Sequence, residues 1–336
     1  MTMATRTIVG ITLLALAGWA LFEVFSTPAS AERIASFDTS RTCAECHQGV
    51  YAEWESSQHA QSWVNPDVRA LSNDFANKDC IDCHAPRPIL ETGIGNRVLP
   101  RSVRRAEGVD CIACHLMPSA DESAPATVAG TLDRPSAPCS PRIERDLSKP
   151  EFCAVCHDQH ETVKQWRASA WFEKGIDCLD CHMPYRDGDP SKGRDHRCLG
   201  GHDLALVRTA VELRAVREGA KIVAEVENVG AGHSFPTDER SRAADVFWRP
   251  LTELGEERGE WRHLYRFRSP YRHEVDIPTT LLPANETLRL EIDDADALRS
   301  GVEVALYYKL SPYWEDPEHP DPDREARLVQ RVEVAP

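Results

Sequence analysis

Methionine is nearly missing from this chain: there are four in 336 residues, and Met1 and Met3 stand at the very start. Cysteine is missing from the last 138 residues, since the final one is Cys198. Low-complexity segments are absent. The single long apolar run, Ile8 to Phe22, is shorter than the ~20 residues a membrane-spanning helix needs. Basic charge is outweighed, with 39 Lys and Arg against 54 Asp and Glu and a formal net charge of −15. That balance argues against nucleic acid as a partner. It favours a redox partner with a basic docking patch, or simply keeps the protein soluble.

What is abundant is cysteine in one pattern. Five stretches read C-x-x-C-H: Cys43, Cys46 and His47; Cys80, Cys83 and His84; Cys111, Cys114 and His115; Cys153, Cys156 and His157; Cys178, Cys181 and His182. They use ten of the twelve cysteines and leave Cys139 and Cys198 over. Disulfides within such pairs would close small strained rings and constrain little. Zinc accepts repeated C-x-x-C pairs, but it has no need of a histidine after every second cysteine. Covalent haem c attachment needs that histidine. The two thiols form thioethers with the haem vinyl groups, and the adjacent imidazole reaches the iron. Five haems, covalently attached, are the expected cofactors.

The amino terminus fits this chemistry, because covalent haem attachment takes place outside the cytoplasmic membrane. Arg6 precedes the apolar run, Glu23 follows it, and Ala29-Ser30-Ala31 has the A-x-A form of a cleavage site. Residues 1–31 are therefore expected to be a signal peptide, with an uncleaved membrane anchor as the alternative, and the location periplasmic or extracellular. In an oxidising compartment Cys139 and Cys198 are expected to join, the alternative being two separate buried thiols.

Composition divides the remainder. Residues 32–205 carry all the motifs, with long loops and helices expected near Val50–Val64 and Glu161–Glu173. The haem macrocycles must supply much of the buried apolar surface there. The stretch Pro118–Pro138, rich in Ala, Ser and Pro, reads as an exposed loop. Residues 206–336 show period-two alternation at Val211 and Leu213, Ile222 to Val226, Leu288 to Ile292, Val302 to Leu306, and Val332 to Val334. Glu218-Gly219 marks a turn. The fold class is α+β: a mainly helical and loop-rich multihaem domain followed by a small antiparallel β-sandwich.

Each iron held by one histidine keeps a second axial position, whose occupant separates carriers from catalysts. Met117 and Met183 each sit within three residues of a motif histidine, so scarce methionine favours low-potential, bis-histidine haems. Of thirteen histidines, eight are not in motifs. His59, His160, His196, His202 and His233 fall near the haem region or in a distinctive loop and are the metal-ligand candidates. His263, His273 and His319 lie among charged residues and read as surface histidines.

These motifs, in this order, resemble the cytochrome c554-like multihaem family. CAECHQGVYAEWESSQHA at 43–60 is similar to its first haem motif followed by S-x-H-A, which implies a distal ligand at His59. CAVCHDQH at 153–160 resembles C-x-x-C-H-x-x-H, implying that His160 serves a haem other than that of His157. GIDCLDCHMP and DHRCLGGHD imply His196 and His202. NVGAGHSFPT at 228–237 resembles a Gly-His loop of a carboxy-terminal β-domain and implies His233. Where a second S-x-H-A is looked for, RASAWF at 167–172 offers Trp171 and no ligand.

The leading function is electron transfer along a haem chain, with redox proteins as partners. One alternative is an oxidoreductase with a five-coordinate haem acting on a small nitrogen or sulfur compound. The other is a filament subunit that self-associates into a haem chain. The nitrite reductase pattern, with lysine in one motif, fits less well, since all five motifs end in histidine.

Overall fold

The computed structural model describes residues 36–118, 127–131, 133–237, 240–251, 259–271 and 273–336. The expected signal peptide, 1–31, lies outside these residues. Among the described residues no helix is long and apolar enough to cross a membrane.

The chain forms two compact units, Met1–Phe37 with Met117–Glu144, and Asp38–Leu116 with Arg145–Pro336. In the first, Thr127–Gly130 pairs in parallel with Arg142–Ile143, and Ala129 is buried. The expected exposed loop over Pro118–Pro138 is therefore partly a strand. A short pairing partner fifteen residues downstream is not readable from composition.

In the larger unit the haem-motif region is built from short helices, and the two long helices expected there are each broken. Gln48–Glu55 is followed by a separate turn, Gln58–Gln61, because Ser57 adopts an extended backbone and its side chain accepts from the Ala60 N–H. Likewise Thr162–Arg167 stops before Ala170–Glu173, where Ser169 accepts from the Trp171 N–H. Serine side chains that bond the backbone compete with helix continuation. Each break aims a new side chain.

The described residues of 212–334 include seven strands: β1 (Glu212–Glu218), β2 (Lys221–Glu227), β3 (Ala243–Pro250), β4 (Arg262–Arg268), β5 (Thr287–Ile292), β6 (Val302–Lys309) and β7 (Arg327–Val334). They make two antiparallel sheets, ordered β7-β6-β3-β4 and β1-β2-β5. Leu213, Ile222, Val226 and Ile292 of one sheet share a core with Val246, Val304 and Leu306 of the other, so the two pack face to face. The β1–β2 turn falls at Gly219, whose φ of +61° suits glycine. Strand β3 escapes the period-two pattern because both its faces are covered. Val246 points into the shared core, while Phe247 packs with Ala305 and Tyr307 under Trp261 and Trp314.

Candidate haem-binding site

Four of the motifs lie within short helices: Asp79–His84, Cys111–His115, Pro150–His157 and Cys178–His182. The first begins in Arg41–Ala44, and His47 caps the next helix. On a helical turn, residues i and i+3 lie on one face with i+4 beside them, so both thiols and the imidazole address one partner. Aspartates start two of these helices. Asp110 accepts from the Ala113 N–H, and Asp177 accepts from the Leu179 N–H in a capping box with Asp180. Among the described residues no three His, Cys, Asp or Glu converge on one point as a zinc site requires.

The histidines converge in twos instead. His59 faces His157 with ring centroids 6.0 Å apart, His196 faces His115 at 6.2 Å, and His233 faces His182 at 6.3 Å with rings 13° from parallel. Two imidazoles on opposite sides of one metal, each bonded at about 2 Å, hold their centroids about 6 Å apart. The spacing is too wide for ring stacking and suits an intervening iron. The residues present therefore fit haem.

Orientation is set by the other ring nitrogen. Nδ1 of His84 is 2.7 Å from the Ser62 carbonyl, that of His182 is 2.5 Å from Leu199, that of His196 is 2.9 Å from Arg194, and that of His233 is 2.9 Å from Ser234. An Nδ1–H that donates to a carbonyl leaves the Nε2 lone pair for a metal. Burial also lowers the pKa of His59 and His233 to about 4 and shifts His196 in the same direction. Neutral imidazole, the ligating form, is favoured at all three.

The remaining two candidates differ. His202 is not brought opposite any motif histidine. Its Nε2 lies 3.0 Å from the Arg242 guanidinium, its carbonyl accepts from Arg327 at 2.8 Å, and burial followed by the two arginines holds its pKa at about 4. The side chain of His160 lies outside the described residues. Of the three surface histidines, His263 bonds Asp245, His273 stacks on Tyr271, and His319 bonds Asp316. Burial pushes the Cys198 thiol up to about 12, so it is a poor nucleophile at neutral pH.

Several supporting residues were not legible beforehand. The His59 carbonyl accepts from the Val109 N–H at 2.9 Å and from the Ser62 hydroxyl at 2.8 Å, while Trp54 donates its indole N–H to the Val109 carbonyl. Gly108 closes this knot: a Cβ there would stand 2.3 Å from the His59 carbonyl oxygen, and its φ is +60°. Gly108→Ala is expected to cost about 1–3 kcal/mol and to displace His59. Denaturant unfolding and the optical spectrum of the variant would check both; a wild-type midpoint and spectrum would refute the packing argument. The signal available in sequence was the shared Gly-(Val/Ile)-Asp before Cys111 and Cys178. On the far side, the His196 N–H donates to Glu53 at 2.9 Å, and Arg186 grips the same carboxylate.

Comparison with known proteins adds the family. The model for "Cytochrome c554 and c-prime" matches residues 42–116, and that for the "NapC/NirT cytochrome c family, N-terminal region" matches residues 141–193. Together with the five motifs they bracket, these decide it. The chain is a multihaem cytochrome c. This cytochrome is also 23% identical over 165 residues to "Cytochrome c-552" of Aliarcobacter butzleri (strain RM4018), a match covering 38% of the chain and 33% of that relative. The cytochrome thus spans about a third of the length of the curated protein it matches. Its fold is similar to that of a penta-heme cytochrome c552 from Thermochromatium tepidum, with a TM-score of 0.63 at 19% identity over 89% of this chain and 98% of the other.

Proposed function

We propose that the cytochrome carries single electrons through five covalently attached haems, most of them bound by two histidines. The observation that carries this reading is the set of three imidazole pairs at 6.0–6.3 Å, each joining a motif histidine to one from elsewhere in the chain. Haem bound there supplies an iron that takes up and releases one electron. The motif thiols would tether each haem, and His59, His196 and His233 would help hold the fourth, third and fifth together with His157, His115 and His182. Two histidines per iron favour low potential and exclude small ligands.

The motifs also touch in sequence. Cys43 and Cys111 are within hydrogen-bonding reach, as are Cys153 and Cys178, and Cys83 and Cys156. Cys114 lies within electrostatic reach of Cys153 and Cys156. The order one, three, four, five follows, with the second motif branching from the fourth. Residues 32–205 hold this row, and the β-sandwich of 206–336 contributes His233. An exported, periplasmic or extracellular location and a redox partner with a basic patch agree with the haem chemistry and the acidic charge.

The test is intact mass combined with a potentiometric titration. The account expects the processed polypeptide plus five haem masses, and five one-electron steps mostly at negative potentials. A mass of bare thiols, or of zinc, would end the reading.

A further inference from the structure

The larger unit contains one haem-binding device twice. The first copy runs from CAECH through WESSQHA to GVDCIACH, and the second from CAVCH through WRASAWF to GIDCLDCH. The bonds repeat with the letters. Trp54 donates to the Val109 carbonyl at 2.8 Å, and Trp166 donates to the Ile176 carbonyl at 2.9 Å. The Val109 N–H donates to the His59 carbonyl at 2.9 Å, and the Ile176 N–H to the Trp171 carbonyl at 3.1 Å. Gly108 and Gly175 both have positive φ, +60° and +70°. Thiols of the first and last motifs meet in each copy, Cys43 with Cys111 and Cys153 with Cys178. Even the outside ligands are held alike: Glu53 accepts from the His196 N–H, and Gln165 accepts from the Ser234 N–H next to His233.

This equivalence puts Trp171 where His59 stands. His59 of the first copy faces His157, the first motif of the second copy. The device therefore passes an imidazole forward, from one copy to the next. Trp171 ends the relay with an indole whose buried N–H has no hydrogen-bond partner among the described residues. No counterpart of His59 serves His47.

A histidine count completes the argument. Besides the five motif histidines, three are paired, three are engaged on the β-sandwich, and His202 has its Nε2 against Arg242. Of the thirteen in the sequence only His160 remains, for two irons, those of His47 and His84. Its neighbour Gln159 donates to Cys83 Sγ at 3.3 Å, which places this stretch at the second motif.

We infer that the haem held by Cys43, Cys46 and His47 receives no second imidazole from this chain and is a binding site for a small exogenous nitrogen- or oxygen-donor ligand. This rests on the five-haem reading above. The site stands at one end of the row of motifs, beside the third, so electrons entering at the second, fourth or fifth haem reach it through the third.

Carbon monoxide is the probe, since it binds ferrous haem only where an axial position is open. The fully reduced protein is expected to take up CO, and the doubly substituted Cys43→Ser/Cys46→Ser protein, carrying four haems, to take up one CO fewer per molecule. No uptake by the unaltered protein, or unchanged uptake by this variant, overturns the inference. If the variant does not accumulate, Cys80→Ser/Cys83→Ser is measured instead: unchanged uptake supports the first haem, and uptake lower by one overturns it. Three or more CO bound by the unaltered protein would contradict the paired imidazoles themselves, and with them this inference.

Discussion

His233→Ala is expected to open one iron while leaving the β-sandwich intact. About one-fifth of the haem should become newly high-spin or CO-reactive, because alanine cannot occupy the axial position facing His182. The loop should survive the change, since other groups hold it. Asn228 donates to the His233 and Leu282 carbonyls, and Phe235 pairs with Leu282 in both directions. Gly230 lets the backbone pass so close that a Cβ would stand 2.0 Å from the Thr209 carbonyl oxygen. The Ser234 N–H is anchored on Gln165 beside the haem motifs. A low-spin spectrum indistinguishable from that of the unaltered protein would detach the β-sandwich from haem binding.

Removing the fourth haem should have the largest effect on electron movement. Thiols of its motif touch those of the second and fifth and lie within electrostatic reach of the third. In Cys153→Ser/Cys156→Ser the polypeptide should carry four haems, and the remaining ones should no longer exchange electrons as one set. Reduction by a one-electron donor, followed by stopped-flow absorbance, should then split into phases separated by orders of magnitude in rate. A single phase at the unaltered rate would mean that the fourth motif is not the junction. The same substitution leaves His59 without an iron to face, so some loss of stability around Gly108 should accompany it.

How much of this was written in the sequence depends on the residue. C-x-x-C-H is a local pattern and could be read at once, as could strands β1, β2, β5 and β7, where one face is buried and hydrophobicity alternates. Strand β6 could be read from Val302, Val304 and Leu306 although it is buried along its whole length, whereas β3, buried along its first six residues, shows no alternation. The helix breaks at Ser57 and Ser169 hinge on one side-chain hydrogen bond each, and such bonds are not distinguishable from surface serine by composition.

The candidate site shows the same division. Histidines with loop or motif signatures could be named, but their partners could not. His59 meets a histidine 98 positions on, and His196 one 81 positions back, contacts that only the folded backbone creates. His202 shows the converse. It comes from the same DHRCLGGHD stretch as His196, yet Arg242, forty residues away, occupies its Nε2. The internal duplication was spelled out in the letters, but it becomes persuasive only when Trp54 and Trp166 make the same bond to equivalent carbonyls.

The central claim is that pairs of histidines clamp haem irons, and near-infrared magnetic circular dichroism of the fully oxidised protein tests it most directly. This band reports the axial ligands of each low-spin ferric haem, and its intensity counts them. Three pairs at 6.0–6.3 Å require at least three bis-histidine haems per molecule, and the open first haem adds one high-spin centre. Fewer than three bis-histidine haems in a fully loaded molecule would contradict the account.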